Sequence, residues 1–384
     1  MPPAARPLAR LAVAWAALSE LVPLYPLYAL LFLDTGLSGA QISLLFGVWS
    51  VTAFLTEVPA GALADRWSRR GVLVLGGVLQ AAGFVVWTVA PGLPGFVVGF
   101  VIWGVAGAFW SGAAEALVYD ELAAVGAEDS FARVNGAMTA AELLVQVPTA
   151  VAASLLFAAG GHQLVGWVSV GCCLAAAALA LRFPETARAD DGEQLLATLR
   201  AGVRQAVRTP GLRVVVLAVA LVGGLDAVEE YFPVLADAWG LGPTVVPYAV
   251  LAVSLAGAAG AWLGGRAGRL PSPVLLGALV LGGGLLLVAG AWAQPAALAA
   301  VALFYGLYLG VLVVAETRLQ ERIEGPHRAT ITSVAGLGIE VAALAVFGAW
   351  AIAGVTGVAV VVLAVVPVVA AGLRLPTRGP LQDP

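Results

Sequence analysis

Residues 53–77 read AFLTEVPAGALADRWSRRGVLVLGG. Asp65, Arg66, Arg69 and Arg70 crowd into one short polar patch, and apolar chain runs away from it on both sides. The flanks extend over 41–63 and 71–90. A helix needs about 20 mostly apolar residues to cross roughly 30 Å of hydrocarbon. Each flank is long enough, so the patch reads as a tight loop between two membrane-spanning helices.

Working outward, the same reading gives twelve apolar stretches, near 8–33, 41–63, 71–90, 94–117, 134–159, 163–183, 212–236, 243–264, 272–292, 296–317, 329–352 and 354–374. Turn signals separate them, among them Asp34-Thr35-Gly36, Gly160-Gly161 and Gly240-Leu241-Gly242-Pro243. The composition agrees: 61% of the 384 residues are hydrophobic and 11% charged, and the mean hydropathy is +0.97. Soluble domains carry about 25% charged residues. Disorder is excluded by the hydrophobicity, and two cysteines cannot make a disulfide scaffold. A net charge of −4 without a long basic stretch gives no footing for nucleic acid. There is no lysine, so the Walker A loop of an ATP-driven motor is missing.

The arginines fix the orientation. All 19 basic residues are Arg, and all lie at the termini or in alternate connections of one parity. By the positive-inside rule those connections and both termini are cytoplasmic. The expected location is the cell membrane, crossed many times. Arg6 and Arg10 before an apolar run resemble a signal peptide, but the run is long enough to span and no small-residue cleavage site follows it. It is read as the first helix.

The one long hydrophilic stretch, 184–211, falls between spans six and seven. It divides the chain into an N-terminal six-helix bundle (1–183), a cytoplasmic linker and a C-terminal six-helix bundle (212–384). Leu195, Leu196, Leu199 and Val203 recur at helical spacing with Arg200, Arg204 and Arg208 on another face. A helix lying on the anionic inner leaflet and a solvated linker both fit. The halves repeat each other. Leu63–Arg69 aligns with Leu263–Arg269, and Ala114–Leu122 with Ala315–Ile323, at an offset of about 200. Glu20 and Tyr25 match Asp226 and Tyr231. The fold class is therefore an all-α membrane protein, twelve transmembrane helices in two pseudo-symmetric bundles. Parallel six-plus-six repeats place a site near midplane between the halves.

At 61–71, GALADRWSRRG is similar to the signature loop between helices two and three of the major facilitator superfamily, roughly G-x-L-A-D-R-x-G-R-R. Ser68 stands where the pattern has its second Gly. The resemblance implies a secondary transporter of the efflux or metabolite-permease kind. It implies a cytoplasmic gate role for Asp65, Arg66 and Arg70, and a cavity lined chiefly by helices one, four, seven and ten. Two patterns of proton-coupled relatives are missing. Phe100 holds the place of a fourth-span Arg, and Gln146–Ala150 does not match the fifth-span Gly-Pro motif.

Ionisable groups at bilayer depth are costly and mark function by default. Glu20 falls near midplane on helix one, and Asp226, Glu229 and Glu230 in the middle to outer part of helix seven. At i, i+3 and i+4, the latter three are expected on one helix face. So close together they cannot all ionise cheaply, and a held proton is what coupling requires. Glu142 and Glu340 lie inside helices five and eleven. Glu142 fits a proton carrier and a hydrogen-bonded packing residue equally. Glu115 and Glu316 match in the repeat, and Arg133 and Arg328 are expected to pair with them as symmetric gate contacts.

No cation is expected at midplane, which disfavours anionic substrates. A cationic or neutral small molecule fits, and Tyr25, Tyr28, Trp103, Trp110, Tyr231 and Tyr305 offer aromatic faces for it. Cys172, Cys173, His162 and His327 make no metal spacing, so no metal, cofactor or enzyme activity is expected. The reading is a secondary active transporter working by alternating access, proton-coupled and exporting, with the lipid bilayer, protons and a small-molecule substrate as partners and a monomer favoured. A nutrient uniporter or proton symporter is the nearest alternative. A non-transporting membrane sensor on the same scaffold is the alternative of another class.

Overall fold

The computed structural model describes residues 1–185, 209–266, 270–323 and 328–373. Among them every regular element is helical. The N-terminal helices are α1 (Arg6–Glu20), α2 (Tyr28–Asp34), α3 (Gly39–Arg66), α4 (Arg69–Val89), α5 (Leu93–Trp110), α6 (Ala113–Ala124) and α7 (Phe131–Ala180). They are followed by α8 (Pro210–Gly223), a 3₁₀ segment (Gly224–Tyr231), α9 (Phe232–Ala238), α10 (Val246–Arg266), α11 (Ser272–Trp292), α12 (Leu298–Arg322) and α13 (Arg328–Gly372). The proposed leaflet helix at 195–208 and the side chains of Asp65 and Arg328 lie outside the described residues.

Nine helices among the described residues are long and apolar enough to cross a membrane. Two of them are too long for one crossing. A straight helix of α7's 50 residues would run about 75 Å, more than twice the hydrocarbon thickness. α7 breaks at Gly160–Gly161, where Gly161 takes φ +59°, and α13 at Ala353–Gly354, where Gly354 takes φ +56°. Side chains rarely tolerate that left-handed backbone, so glycine sits at both breaks. Each long element reads as two crossings, and α1 with α2 reads as one more.

The first crossing is not the continuous helix its hydropathy suggests. α1 stops at Glu20, and the chain runs irregularly to Tyr28. Pro23 and Pro26 are the cause. Proline has no N–H, and it drives the residue before it out of helical geometry. Irregular backbone inside lipid must find its hydrogen bonds within the protein. The Leu24 amide donates to the Ser169 hydroxyl at 3.0 Å, and that hydroxyl donates onward to the Val165 carbonyl at 2.8 Å.

The seventh crossing also departs from a continuous helix, passing from α8 through the 3₁₀ segment to α9. The fourth bends at Ser111–Gly112 between α5 and α6, with Gly112 at φ +68°.

Local signals set the helix starts. α3 begins with a capping box, in which Ser38 Oγ accepts from the Gln41 amide and Gln41 Oε1 accepts from the Ser38 amide at 2.9 Å. Ser68, the departure from the loop pattern, caps α4 by accepting from the Gly71 amide at 2.7 Å. Gly-x-x-x-Gly spacing in α10 and α12 is explained by their crossing: a Cβ at Gly260 would overlap the Gly306 carbonyl, and one at Gly264 the Gly310 carbonyl.

The chain forms two compact units. The N-terminal unit holds Met1–Asp190 and also Glu230–Leu251, and the C-terminal unit holds Asp191–Glu229 and Ala252–Pro384. In the N-terminal unit the returning segment is tied down by hydrogen bonds. The Tyr231 and Ser43 hydroxyls lie 2.7 Å apart, and Ser154 donates to the Thr244 carbonyl at 2.7 Å. His162, a lone loop residue by sequence, places its Nε2 2.8 Å from Asp34 Oδ2.

Candidate functional site

In the N-terminal unit the candidate site gathers at the break in the first crossing. Glu20 is the last residue of α1. Its side chain is half-buried and has no hydrogen-bond or ion-pair partner among the described residues. It stands at a helix C-terminus, where the macrodipole is already negative. Glu142 on α7 is within electrostatic reach of it, and Glu115 on α6 is within reach of Glu142. Tyr25, inside the break, is also within reach of Glu20. Gln80 of α4 donates to the Tyr25 hydroxyl at 2.5 Å, and the Tyr25 ring stacks on Trp103 with centroids 5.6 Å apart and planes 10° apart. Three residues of the expected cavity, Glu20, Tyr25 and Glu142, thus lie within electrostatic reach along one run. The sequence reading missed Gln80, although a buried amide in an apolar span was a visible signal.

In the C-terminal unit the site lies on the 3₁₀ segment. The Tyr305 hydroxyl of α12 reaches Asp226 Oδ1 at 3.0 Å and Glu229 Oε2 at 2.9 Å. The Tyr308 hydroxyl donates to the Gly223 carbonyl at 3.3 Å, holding the end of α8. Glu316 is exposed and within electrostatic reach of Asp226, and Glu340 is half-buried on α13.

One expectation is corrected here. Asp226, Glu229 and Glu230 do not share a face. A 3₁₀ turn has three residues, so i and i+3 eclipse while i+4 is rotated about 120° away. Asp226 and Glu229 therefore meet on Tyr305, and Glu230 groups with the N-terminal unit.

The gate residues divide. Arg70 donates to the Phe183 carbonyl at 3.1 Å and lies 3.7 Å from Glu185. It therefore fastens the end of α7 within its own unit. Arg69 rather than Arg66 makes the short ion pair, to Asp120 at 2.6 Å, and Arg66 is exposed with no such partner among the described residues. The expected Glu115–Arg133 pair is not formed, and both side chains are exposed. Glu115 is instead within electrostatic reach of Glu142. Its expected counterpart, Glu316 with Arg328, involves a side chain outside the described residues. In the C-terminal unit the guanidinium of Arg318, only 2% exposed, is spent on the Leu270 and Leu373 carbonyls and the Ser272 hydroxyl.

Each unit thus places carboxylates and phenols where a transmembrane crossing loses its regular helix. Such discontinuities are where transporters bind substrates and ions. Among the described residues no group of three or more His, Cys, Asp or Glu could hold a metal ion.

No curated protein sequence matches the chain significantly. Solved structures do match over almost the full length. A bacterial homologue of the human lysosomal transporter Spinster, inward-facing and occupied, aligns with a TM-score of 0.73 at 14% identity, covering 97% of this chain and 96% of that one. A D-xylose-proton symporter aligns with a TM-score of 0.73 at 13% identity, covering 96% and 99%. The nucleoside transporter NupG gives 0.73 at 14% identity, covering 95% and 97%. At these identities the likeness is one of fold. The family model described as Major Facilitator Superfamily matches residues 11–347, nearly all of both halves. With the signature loop at 61–71 and the paired helix breaks, this makes the chain a member of the major facilitator superfamily, a multi-pass membrane transporter and not an enzyme.

Proposed function

We propose that the protein is a proton-coupled exporter of a cationic or neutral small molecule. One observation carries the coupling: the single Tyr305 hydroxyl lies within hydrogen-bond distance of two carboxylates, Asp226 and Glu229. A phenol has one proton to donate. If both acids were ionised, one carboxylate oxygen would face the phenol oxygen with no hydrogen between them. A second proton completes the pattern: one carboxyl donates to the phenol oxygen, and the phenol donates to the other carboxylate. The group is thus a site that takes up and releases a proton with little rearrangement. The cationic preference is supported by the acids around Glu20, which have no basic partner among the described residues.

In this reading Glu20, Tyr25 and Glu142 serve substrate in the N-terminal unit, and Asp226, Glu229 and Glu340 serve the proton in the C-terminal unit. Glu230 is assigned to the cavity with them. Asp65, Arg66, Arg70, Glu115, Arg133, Glu316 and Arg328 are assigned to closing the cytoplasmic side. Both termini are cytoplasmic, the membrane is the cell membrane and the working form is a monomer.

A thermal-shift screen of metabolites and drugs identifies a stabilising compound, since ligands stabilise the state they bind. Flux of that compound is then followed in proteoliposomes with and without an imposed pH gradient. Wild type is expected to move it faster with the gradient. Asp226→Asn is expected to retain exchange of the compound and lose the acceleration, whereas Glu20→Gln is expected to weaken exchange itself. The coupling assignment is wrong if Asp226→Asn keeps gradient-driven transport.

A further inference from the structure

The connections free of arginine hold three titratable side chains between them: Asp34, His162 and Asp237. The structure gathers all three at one place. His162 follows the Gly160–Gly161 break of α7, and its Nε2 lies 2.8 Å from Asp34 Oδ2, 128 residues away in the chain. The ring meets Phe157 edge to face at 4.9 Å. Its Nδ1 is buried with no partner among the described residues, so Asp34 is the polar contact that holds it. Asp34 is in turn within electrostatic reach of Asp237. Asp237 is half-buried, and its carboxylate has no hydrogen bond or ion pair among the described residues. Both acids stand in the last turn of a helix, α2 and α9, where free carbonyls already make the potential negative.

These groups meet on the segment that leaves its own half. Glu230–Leu251 groups with the N-terminal unit, where α9 packs beside α2. Its other fastenings are uncharged. Tyr231 bonds Ser43 and meets the Phe46 ring of α3 edge to face at 5.3 Å, and Ser154 of α7 bonds the Thr244 carbonyl. Such contacts hold at any physiological pH. The acid pair differs. Docking takes Asp237 partly out of water and sets it beside a second carboxylate, and both changes penalise its ionised form. A group that holds its proton more tightly when docked favours docking at low pH and withdraws that support as the pH rises. His162 keeps the Asp34 charge in place, where an unheld carboxylate would swing into water.

We infer that Glu230–Leu251 is a pH-sensitive strap on the outer face, docked when the Asp34–Asp237 pair holds a proton and released when that proton leaves. It goes beyond the proton site proposed above, since the proton that works the strap sits on Asp237 and not on Asp226 or Glu229. It rests on that reading for alternating access and for which face is outer. Asp237 carries the proton, Asp34 supplies the repulsion, and His162 is a positioning residue that acts through Asp34. Acid outside the cell then favours the closed outer face.

The test is double electron–electron resonance on the purified full-length protein, spin-labelled at Ala40→Cys on α3 and Ala238→Cys on α9, both exposed positions. Cys172→Ala and Cys173→Ala remove the native thiols. Spectra are taken at about pH 4.5 and about pH 8, both above the ordinary range of an aspartate. A short distance is expected to dominate at the lower pH, and a longer one to grow at least threefold at the higher. Asp237→Asn is expected to keep the short distance at both, and Asp237→Glu to restore the response, which separates charge from misfolding. His162→Ala is expected to shrink the response at least twofold, and His162→Gln, which keeps a donor, to recover it. Asp226→Asn is expected to leave it unchanged. A distance indifferent to pH, or a response that Asp237→Asn retains, overturns the strap. Neither result touches the exporter, whose coupling is read from flux and from Asp226→Asn. A response lost in Asp226→Asn and kept in Asp237→Asn moves it to the 3₁₀ segment and also overturns the strap.

Discussion

A phenol between two carboxylates is sensitive to the loss of one atom. Tyr305→Phe removes the bridging hydroxyl and leaves Asp226 and Glu229 facing each other. Hydrogen bonds to charged groups contribute about 1.5–3 kcal/mol, so a loss of that order is expected in the denaturation midpoint, together with loss of gradient-driven transport. Tyr28→Phe is the control. Tyr28 is buried, but its hydroxyl has no hydrogen bond among the described residues, and a change within about 0.5 kcal/mol is expected. Equal effects from the two would remove Tyr305 from the proton site. At this scale the acids were legible in the sequence, because a carboxylate inside an apolar run is too costly to be incidental. Their partners were not. Tyr305 lies 79 and 76 residues from the two acids it joins, and only the packing of α12 beside the 3₁₀ segment brings them together. The Glu115–Arg133 pairing failed for the same reason. Charge complementarity and proximity to helix ends do not specify which way two side chains turn.

At the scale of elements, the break in the first crossing depends on Ser169, which accepts the Leu24 amide freed by Pro23 and Pro26. Ser169→Ala is expected to leave that amide buried and unpaired, at a cost of about 1–3 kcal/mol, read as a lowered melting temperature. Ser169→Thr retains the hydroxyl and is expected to recover part of the loss. If alanine is tolerated without change, the break is satisfied in another way. The apolar lengths of the crossings were readable, as were the glycine turns between them. The breaks were not read, although Pro23 and Pro26 were in view, because a hydropathy window averages across a proline as though it were any apolar residue. After Pro210 at its start, the seventh crossing carries no proline until Pro233, well after α8 has ended. Its 3₁₀ stretch has no comparable sequence mark, so the helical i+4 rule misplaced Glu230.

At the scale of the whole molecule, the all-helical, multi-pass character was readable because it is a sum over many residues. Nineteen arginines confined to one parity of connections are a stronger signal than any single motif. The grouping of Glu230–Leu251 with the N-terminal unit was not readable, since it depends on contacts such as Tyr231 with Ser43 rather than on the order of the chain.

That exchanged stretch has a practical corollary for dissection of the protein. A cut at 190/191 yields two polypeptides, and the second carries a piece that groups with the first. Co-expressed from separate reading frames, the fragments 1–190 and 191–384 are expected to co-purify through a tag on either one. Exchanging the C-terminal fragment for that of a distant relative is expected to abolish recovery unless 230–251 is kept from the original chain.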